Sequence, residues 1–305
     1  MGIVGLWAES LDYQYEIDET TCVRHKSPFS TCNRCTEVCL EQAIEWDRGK
    51  PSINRELCTE CGKCLANCSV QAIAGIYPKR KVWNGELIVE PQSIPSAKEM
   101  LIYYAKGIHS AATEQEAAEK ELVDSLEEAN SVLLALGKEP IQLKMGATLP
   151  DEQEKTYSRR DLFSLWKTES QSIMKEVTPA KWRFNQMDFE LAKHYKETQF
   201  YHVEIDPLKC SLCKICESLC VKECFRLSEN QFTISPHSCA DCRLCMDTCP
   251  EGAIHIQKKI SNVQPQQYHV FDRTCTSCKK EFKTLREDDR QCFVCQKRKA
   301  GYLSS

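Results

Sequence analysis

Residues 209–250 read KCSLCKICESLCVKECFRLSENQFTISPHSCADCRLCMDTCP. Two runs with the spacing CxxCxxCxxxC lie inside this stretch: Cys210, Cys213, Cys216 and Cys220, then Cys239, Cys242, Cys245 and Cys249, closing on Pro250. A thiolate is a soft ligand suited to iron in sulfide clusters or to zinc, and a CxxC turn brings two sulfurs to one metal. A third cysteine one step further occupies another corner of a polynuclear site and leaves one corner for a distant residue.

The pattern recurs upstream. Cys22, Cys32, Cys35 and Cys39 are followed by Cys58, Cys61, Cys64 and Cys68. Both halves share a plan, with a short extended segment leading in, a joining segment (AIEWDRGKPSINRELC or FRLSENQFTIS), and an extended segment following. This is an internal duplication. In the first half, extended segments flank a Gly-Lys-Pro turn, and Val82–Val89 reads as a hairpin on Asn84-Gly85.

Working outward, residues 91–198 contain no cysteine and read as helical. Thr113 with Glu116 forms a capping box, Gly137 and Pro140 mark the far end, and Leu122, Leu126, Ala129, Leu133 and Leu136 form one apolar stripe. A second helix is expected from Ser158, and a third over Gln186 to Tyr195. These stripes suit packing against neighbouring elements, with docking to a partner protein as the other reading. SNVQPQQ reads as a polar linker. Beyond it, Cys275-x-x-Cys278 and Cys292-x-x-Cys295 stand thirteen residues apart.

Bulk numbers narrow the class. A chain of 305 residues holds two or three domains, and 42% hydrophobic residues argue against one large apolar core. Metal binding then supplies folding energy, because ligands that meet only in the folded chain make binding part of folding. Forty basic against 44 acidic side chains leave a net charge of -4, which excludes a general nucleic-acid binder; Lys297–Lys299 are too few to reverse that. Twenty-one cysteines are an odd count in a long chain whose start, MGIVGLWAESLDYQYEIDE, is unlike a secretory leader, so a disulfide framework is not expected. No run of 18 apolar residues is present, so no membrane span is expected, while peripheral association stays open. Ser158–Phe163 resembles a twin-arginine export signal but lies mid-chain with no apolar stretch behind it. A cytoplasmic location follows.

Both halves resemble bacterial two-cluster ferredoxins, as found in electron-transfer subunits of molybdopterin oxidoreductases and related respiratory or fermentative complexes. The resemblance covers roughly residues 20–90 and 200–260, and departs from the pattern at Leu40, Ser69 and Val221, where a proline normally follows the fourth cysteine. It implies that each fourth cysteine crosses to the other cluster of its module. Four [4Fe-4S] clusters result: Cys22, Cys32, Cys35 and Cys68; Cys58, Cys61, Cys64 and Cys39; Cys210, Cys213, Cys216 and Cys249; and Cys239, Cys242, Cys245 and Cys220. Cys22 stands ten positions before Cys32, so either a surface loop, RHKSPFST, still delivers it, or it stands aside and that site takes another cluster form. The terminal unit resembles a zinc ribbon, with Cys275, Cys278, Cys292 and Cys295 on one zinc; mononuclear iron is disfavoured because rubredoxin-like loops carry glycine where Lys279 and Gln296 stand. Only Cys224 is left over, either packed as a small hydrophobe or exchanging with Cys220 as a ligand.

The expected fold is α+β: a first dicluster module at 1–92, a helical docking segment at 93–199, a second module at 200–262, each module with two short hairpins and a helix after each quartet, and a zinc ribbon at 268–299. No P-loop or GxGxxG opens a helix and almost every thiol is claimed, so no catalytic site is expected. The chain reads as an electron carrier without a substrate site of its own, partnered with a catalytic oxidoreductase subunit. The competing class is an assembly or redox-sensing factor for a metalloenzyme.

Overall fold

The computed structural model describes residues 15–148 and 186–299, apart from 76, 78, 79 and 92. The expected helix at Ser158 and the Ser158–Phe163 motif lie outside the described residues. Helices and small sheets mix in an α+β architecture with two compact units. One gathers the described residues up to Thr59, Lys63–Gly75, and those from Glu190 onward; the other holds Glu60–Gly62 and the described residues between 76 and Phe189.

In the first module, β1 (Glu16–Ile17) pairs antiparallel with β4 (Ile73–Ala74), so the two ends of the module close on one another. Between them β2 (Ile44–Asp47) and β3 (Lys50–Ile53) form a hairpin. Its turn is Arg48-Gly49, both with positive φ (49° and 80°), the backbone a two-residue hairpin needs to match strand twist. The turn therefore takes only the glycine of Gly-Lys-Pro, and Pro51 sits inside β3 opposite Trp46, where a two-stranded edge tolerates its missing N–H.

The second unit departs from the helical expectation. β5 (Val82–Trp83) and β6 (Glu86–Ile88) form the Asn84-Gly85 hairpin, and β7 (Ser110–Ala112) and β8 (Gln142–Lys144) add in parallel, giving the order β5-β6-β7-β8. The crossovers are the helices Ala97–Ala105 and Lys120–Ala135. The hairpin assigned by sequence to the first module thus seeds a separate α/β sheet. Its core holds Leu87, Ile88, Met100, Ile102, Ala111, Leu122, Ala129 and Leu133. The second crossover helix starts at Lys120 instead of after Thr113, whose hydroxyl accepts the Gln115 N–H in a local turn. It ends as expected at Gly137 (φ 67°), where Gly137 N–H and Lys138 N–H return to the carbonyls of Leu134 and Leu133. The helix expected over Gln186 to Tyr195 is broken into a 3-10 turn, Gln186–Phe189, and a short helix, Leu191–His194.

The second module repeats the first with longer strands. β9 (Thr198–Ile205) pairs antiparallel with β12 (Ile254–Asn262), Ile205 opposite Ile254, and β10 (Phe225–Leu227) pairs with β11 (Gln231–Ile234). β13 (Gln266–His269) adds to β11. The expected polar linker is therefore strand, turn and strand. Side chain to main chain bonds tie it to β9: Gln199 Oε1 accepts the Gln264 N–H at 3.0 Å and Gln266 Nε2 donates to Val203 O at 2.7 Å. The helices Lys63–Asn67, Ile215–Leu219 and Leu244–Thr248 lie inside their quartets, bridging third and fourth cysteines, where the sequence reading put them after the quartets. Last come β14 (Phe271–Thr274), β15 (Glu281–Thr284) and the helix Phe293–Lys299.

Within the first unit the two modules pack together. Cys22, Val23, Val70, Ala72 and Leu244 form one buried cluster, with Leu219 and Val221 packed on it. Val221 stands where a ferredoxin carries proline, and its side chain fills this seam instead.

Candidate metal centres

Three of the four expected cysteine groups are brought together in space. Burial, then the neighbouring sulfurs of Cys68, Cys32 and Cys22, push the Cys35 thiol up to about 12. Burial likewise raises Cys22, with Cys68 and Cys32 adding to it. The insert after Cys22 is no slack loop: the helix Val23–Lys26 occupies it, Arg24 Nε donates to Cys32 O at 2.6 Å, and Arg24 stacks on Trp46. Cys22 is thereby delivered to Cys32, Cys35 and Cys68. In the second module burial pushes Cys210 up to about 11, with Cys213 and Cys249 as neighbours, and Cys216 up to about 12, with Cys210, Cys213 and Cys249. Cys242 is pushed up to about 12 by burial and then by Cys220 and Cys239, and Cys245 is raised by burial and then by Cys242, Cys239, Cys220 and Cys216. These neighbours include sulfurs that the cross-over pairing groups, and two reach across groups: Cys32 acts on Cys242, and Cys216 on Cys245. Buried thiols that resist losing their protons together become thiolates when a cation supplies the opposing charge, which is the donor set an iron-sulfur cluster needs. The group Cys39, Cys58, Cys61 and Cys64 rests on its spacing and on the turn described next.

That turn was invisible to spacing arguments. Three residues after each fourth cysteine the chain takes a left-handed step, at Gln42 (φ 51°), Gln71 (φ 57°), Glu223 (φ 52°) and Gly252 (φ 57°). The next N–H then points back at the sulfur: Ala43 N–H to Cys39 Sγ at 3.2 Å, Ala72 to Cys68 at 3.2 Å, Cys224 to Cys220 at 3.4 Å, and Ala253 to Cys249 at 3.3 Å. An N–H aimed at a sulfur favours the thiolate and is one of the levers by which protein tunes a cluster. Only Gly252 carries a sequence signal for it. A second left-handed pattern brackets the middle cysteine of three runs, at Glu60 and Gly62, Leu212 and Lys214, and Asp241 and Arg243. Such steps turn successive N–H groups toward one point, a nest for an anion such as a sulfide-rich cluster. In the first run Asn33 has φ -136° and Arg34 begins a helix, so that loop is built differently.

Cys224 is 3% exposed, stands where the other turns carry Ala43, Ala72 and Ala253, and packs in the core. Its thiol also bonds the sulfurs of Cys220 and Cys239; that bond lowers Cys220 to about 6 and raises Cys224 far above the ordinary thiol range.

The four terminal sulfurs, Cys275, Cys278, Cys292 and Cys295, all lie within 4.8 Å of one another, with Cys278 and Cys292 3.8 Å apart. Thiolates bonded at about 2.3 Å to a tetrahedral metal sit roughly 3.8 Å apart, so the set fits one such ion. Backbone N–H groups of Cys278 and Cys292 lower Cys275 to about 6, the latter at 3.3 Å from its sulfur. Lys279 takes φ 60° while its N–H bonds Cys275 O at 2.9 Å. A lysine thus adopts the conformation usually left to glycine, and the missing glycine does not discriminate between zinc and iron.

Comparison with protein families agrees with this geometry. A model described as a 4Fe-4S dicluster domain matches residues 30–73, and one described as a 4Fe-4S binding domain matches residues 231–254. The chain carries iron-sulfur cluster-binding domains. No curated protein matches it. Among the described residues no helix is long and apolar enough to cross a membrane.

Proposed function

We propose that this protein is an electron carrier that holds four [4Fe-4S] clusters and one structural zinc, acts as a subunit or dedicated redox partner of a cytoplasmic oxidoreductase complex, and has no substrate site of its own. The observation that carries this reading is the fourfold turn: four sulfurs, two in each module, receive the same N–H from the same left-handed step. One such turn is local structure, whereas four at equivalent positions are a repeated device around repeated cofactors.

Clusters held by the cysteines of the four runs would supply one-electron transfer, with no bond of a substrate made or broken. The chain's own residues fix where the sulfurs stand, bury them, and aim N–H groups at them. Four thiolates close a tetrahedron at the terminal site and leave no open position, so its ion is structural; zinc is the ion proposed, with mononuclear iron as the alternative that metal analysis separates from it.

Anaerobic reconstitution tests this reading. The expected result is about sixteen irons per chain as cubane clusters, one zinc, and reversible bleaching by dithionite. Fewer than about twelve irons per chain sinks the four-cluster form. Full loading that passes clusters irreversibly to an apo-metalloenzyme, without reversible bleaching, favours the assembly reading instead.

A further inference from the structure

The seam between the modules joins two particular cysteine groups. Cys32 and Cys68 of the first module and Cys242 of the second pack on the same buried cluster of Val23, Val70 and Leu244. Cys32 and Cys242 also line one cavity, together with Arg34, Asn67 and Asp241. Polar contacts fasten the edges. Arg34 Nη2 donates to Asp241 Oδ2 and to Asp241 O, both at 2.9 Å, and Thr31 donates from N–H (2.7 Å) and Oγ1 (3.0 Å) to Asp247 Oδ2. Lys222, in the turn after Cys220, reaches Gln71, in the turn after Cys68. Cys61 and Cys213, the middle cysteines of the two remaining groups, are exposed, whereas Cys35 and Cys242 are partly covered.

We propose that the seam fixes the order of the four sites. The group Cys22, Cys32, Cys35 and Cys68 abuts the group Cys220, Cys239, Cys242 and Cys245, and the groups of Cys58 and of Cys210 form the two outer ends, open to redox partners at Cys61 and Cys213. Thr31, Arg34, Asp241, Asp247 and Leu244 act as positioning residues for the inner pair. The insert after Cys22 gains a purpose, since it supplies Val23 and Thr31 to the seam. The inference rests on the four-cluster reading and adds to it which clusters are neighbours across the modules.

Magnetic coupling between reduced clusters tests it in the full chain. Cys61→Ala with Cys213→Ala removes one ligand from each outer site, and Cys35→Ala with Cys242→Ala does the same to the inner sites. After dithionite reduction, the first double variant is expected to show electron paramagnetic resonance split by spin coupling, and the second two isolated signals. Isolated signals from the first variant, with about eight irons bound, overturn the proposed order while leaving the carrier reading intact; a wild-type chain that binds no cubanes fails that reading instead. Where either double variant does not hold its iron, Arg34→Glu with Asp247→Lys, which touches no ligand, carries the test. It is expected to diminish the coupled part of the fully reduced spectrum. An unchanged spectrum overturns the proposal.

Discussion

Arg34 of the first module grips Asp241 of the second by both carbonyl and carboxylate, and Asp241 is itself held in a left-handed backbone (φ 50°). One guanidinium therefore secures the seam and a strained step of a cysteine loop. Arg34 is 36% exposed, so solvent discounts the pair. Arg34→Ala is expected to cost about 1–2 kcal/mol, and if the unfolding barrier feels all of it, loss of visible cluster absorbance in urea speeds up about 5- to 30-fold. An unchanged rate would show that the apolar cluster holds the seam without this pair.

The left-handed step after each fourth cysteine carries a cost that differs by residue. Glu223 bears the strain of a side chain at φ 52°, and Gly252 does not. Nothing lies within 4 Å of a Cβ added at Gly252, so backbone conformation alone sets the effect there. Gly252→Ala is expected to lose about 1 kcal/mol, and Glu223→Gly to gain up to about 1 kcal/mol after the extra chain entropy of glycine is offset. Denaturation midpoints of the reconstituted variants should move in opposite directions; a shared direction would mean that side-chain contacts outweigh φ.

The cysteine groups were legible in the sequence because a ligand spacing is a one-dimensional signal. Cys22 stayed ambiguous, since spacing could not show that Arg24 and the Val23–Lys26 helix deliver it. The strands β7 and β8 are three residues each, too short for an alternating pattern to register, so the α/β sheet of the second unit was missed. Val221 and Ser69 looked like lost prolines. Only the fold shows Val221 on the module seam and Ser69 buried beside Val70, while Leu40, the third departure, is simply exposed. The N–H turn escaped because three of its four left-handed residues are Gln or Glu, which carry no sign of positive φ.

Glu99 is fully buried, accepting from Arg80 Nε at 2.7 Å, Arg80 Nη2 at 2.9 Å and Tyr77 OH at 2.7 Å. Burial pushes Tyr77 up, and Glu99 keeps Arg80 charged against its own burial. Glu99→Ala leaves an uncompensated guanidinium and is expected to cost about 3–5 kcal/mol. Thermal melts followed by far-ultraviolet circular dichroism should lose an early fraction of helix from Ala97–Ala105 and Lys120–Ala135. A melt that matches wild type would mean that water reaches Arg80.

Partial burial would raise Glu190, but Lys222, at 2.8 Å, and Lys193 together hold it below the ordinary carboxylate range. A depressed carboxyl contributes stability above its unfolded-state value, near 4.3 for glutamate, and loses it as pH falls through the folded value. Glu190→Gln is therefore expected to destabilise at neutral pH. Its difference from wild type should shrink steadily as pH drops below about 4.3, as read from urea midpoints of the cluster-free chain. A difference that stays constant across that window would assign the effect to packing.

Zinc loading of the terminal site gives a proton count. Cys275 is lowered to about 6 by the N–H groups of Cys278 and Cys292, so at neutral pH it is already largely a thiolate. Cys295 is pushed up to about 12, first by its bond to Cys292 and then by burial, so it binds metal only by giving up a proton. Metal binding by thiols releases the protons they still hold. Adding zinc to the chelator-treated chain at pH 7 is expected to release fewer than four protons per ion, and more as the starting pH falls through about 6, because Cys275 then joins the others. Indicator dye in weak buffer measures this directly. Release of four protons at pH 7, with no change on acidification, would show that the N–H groups do not hold Cys275 as a thiolate before zinc arrives.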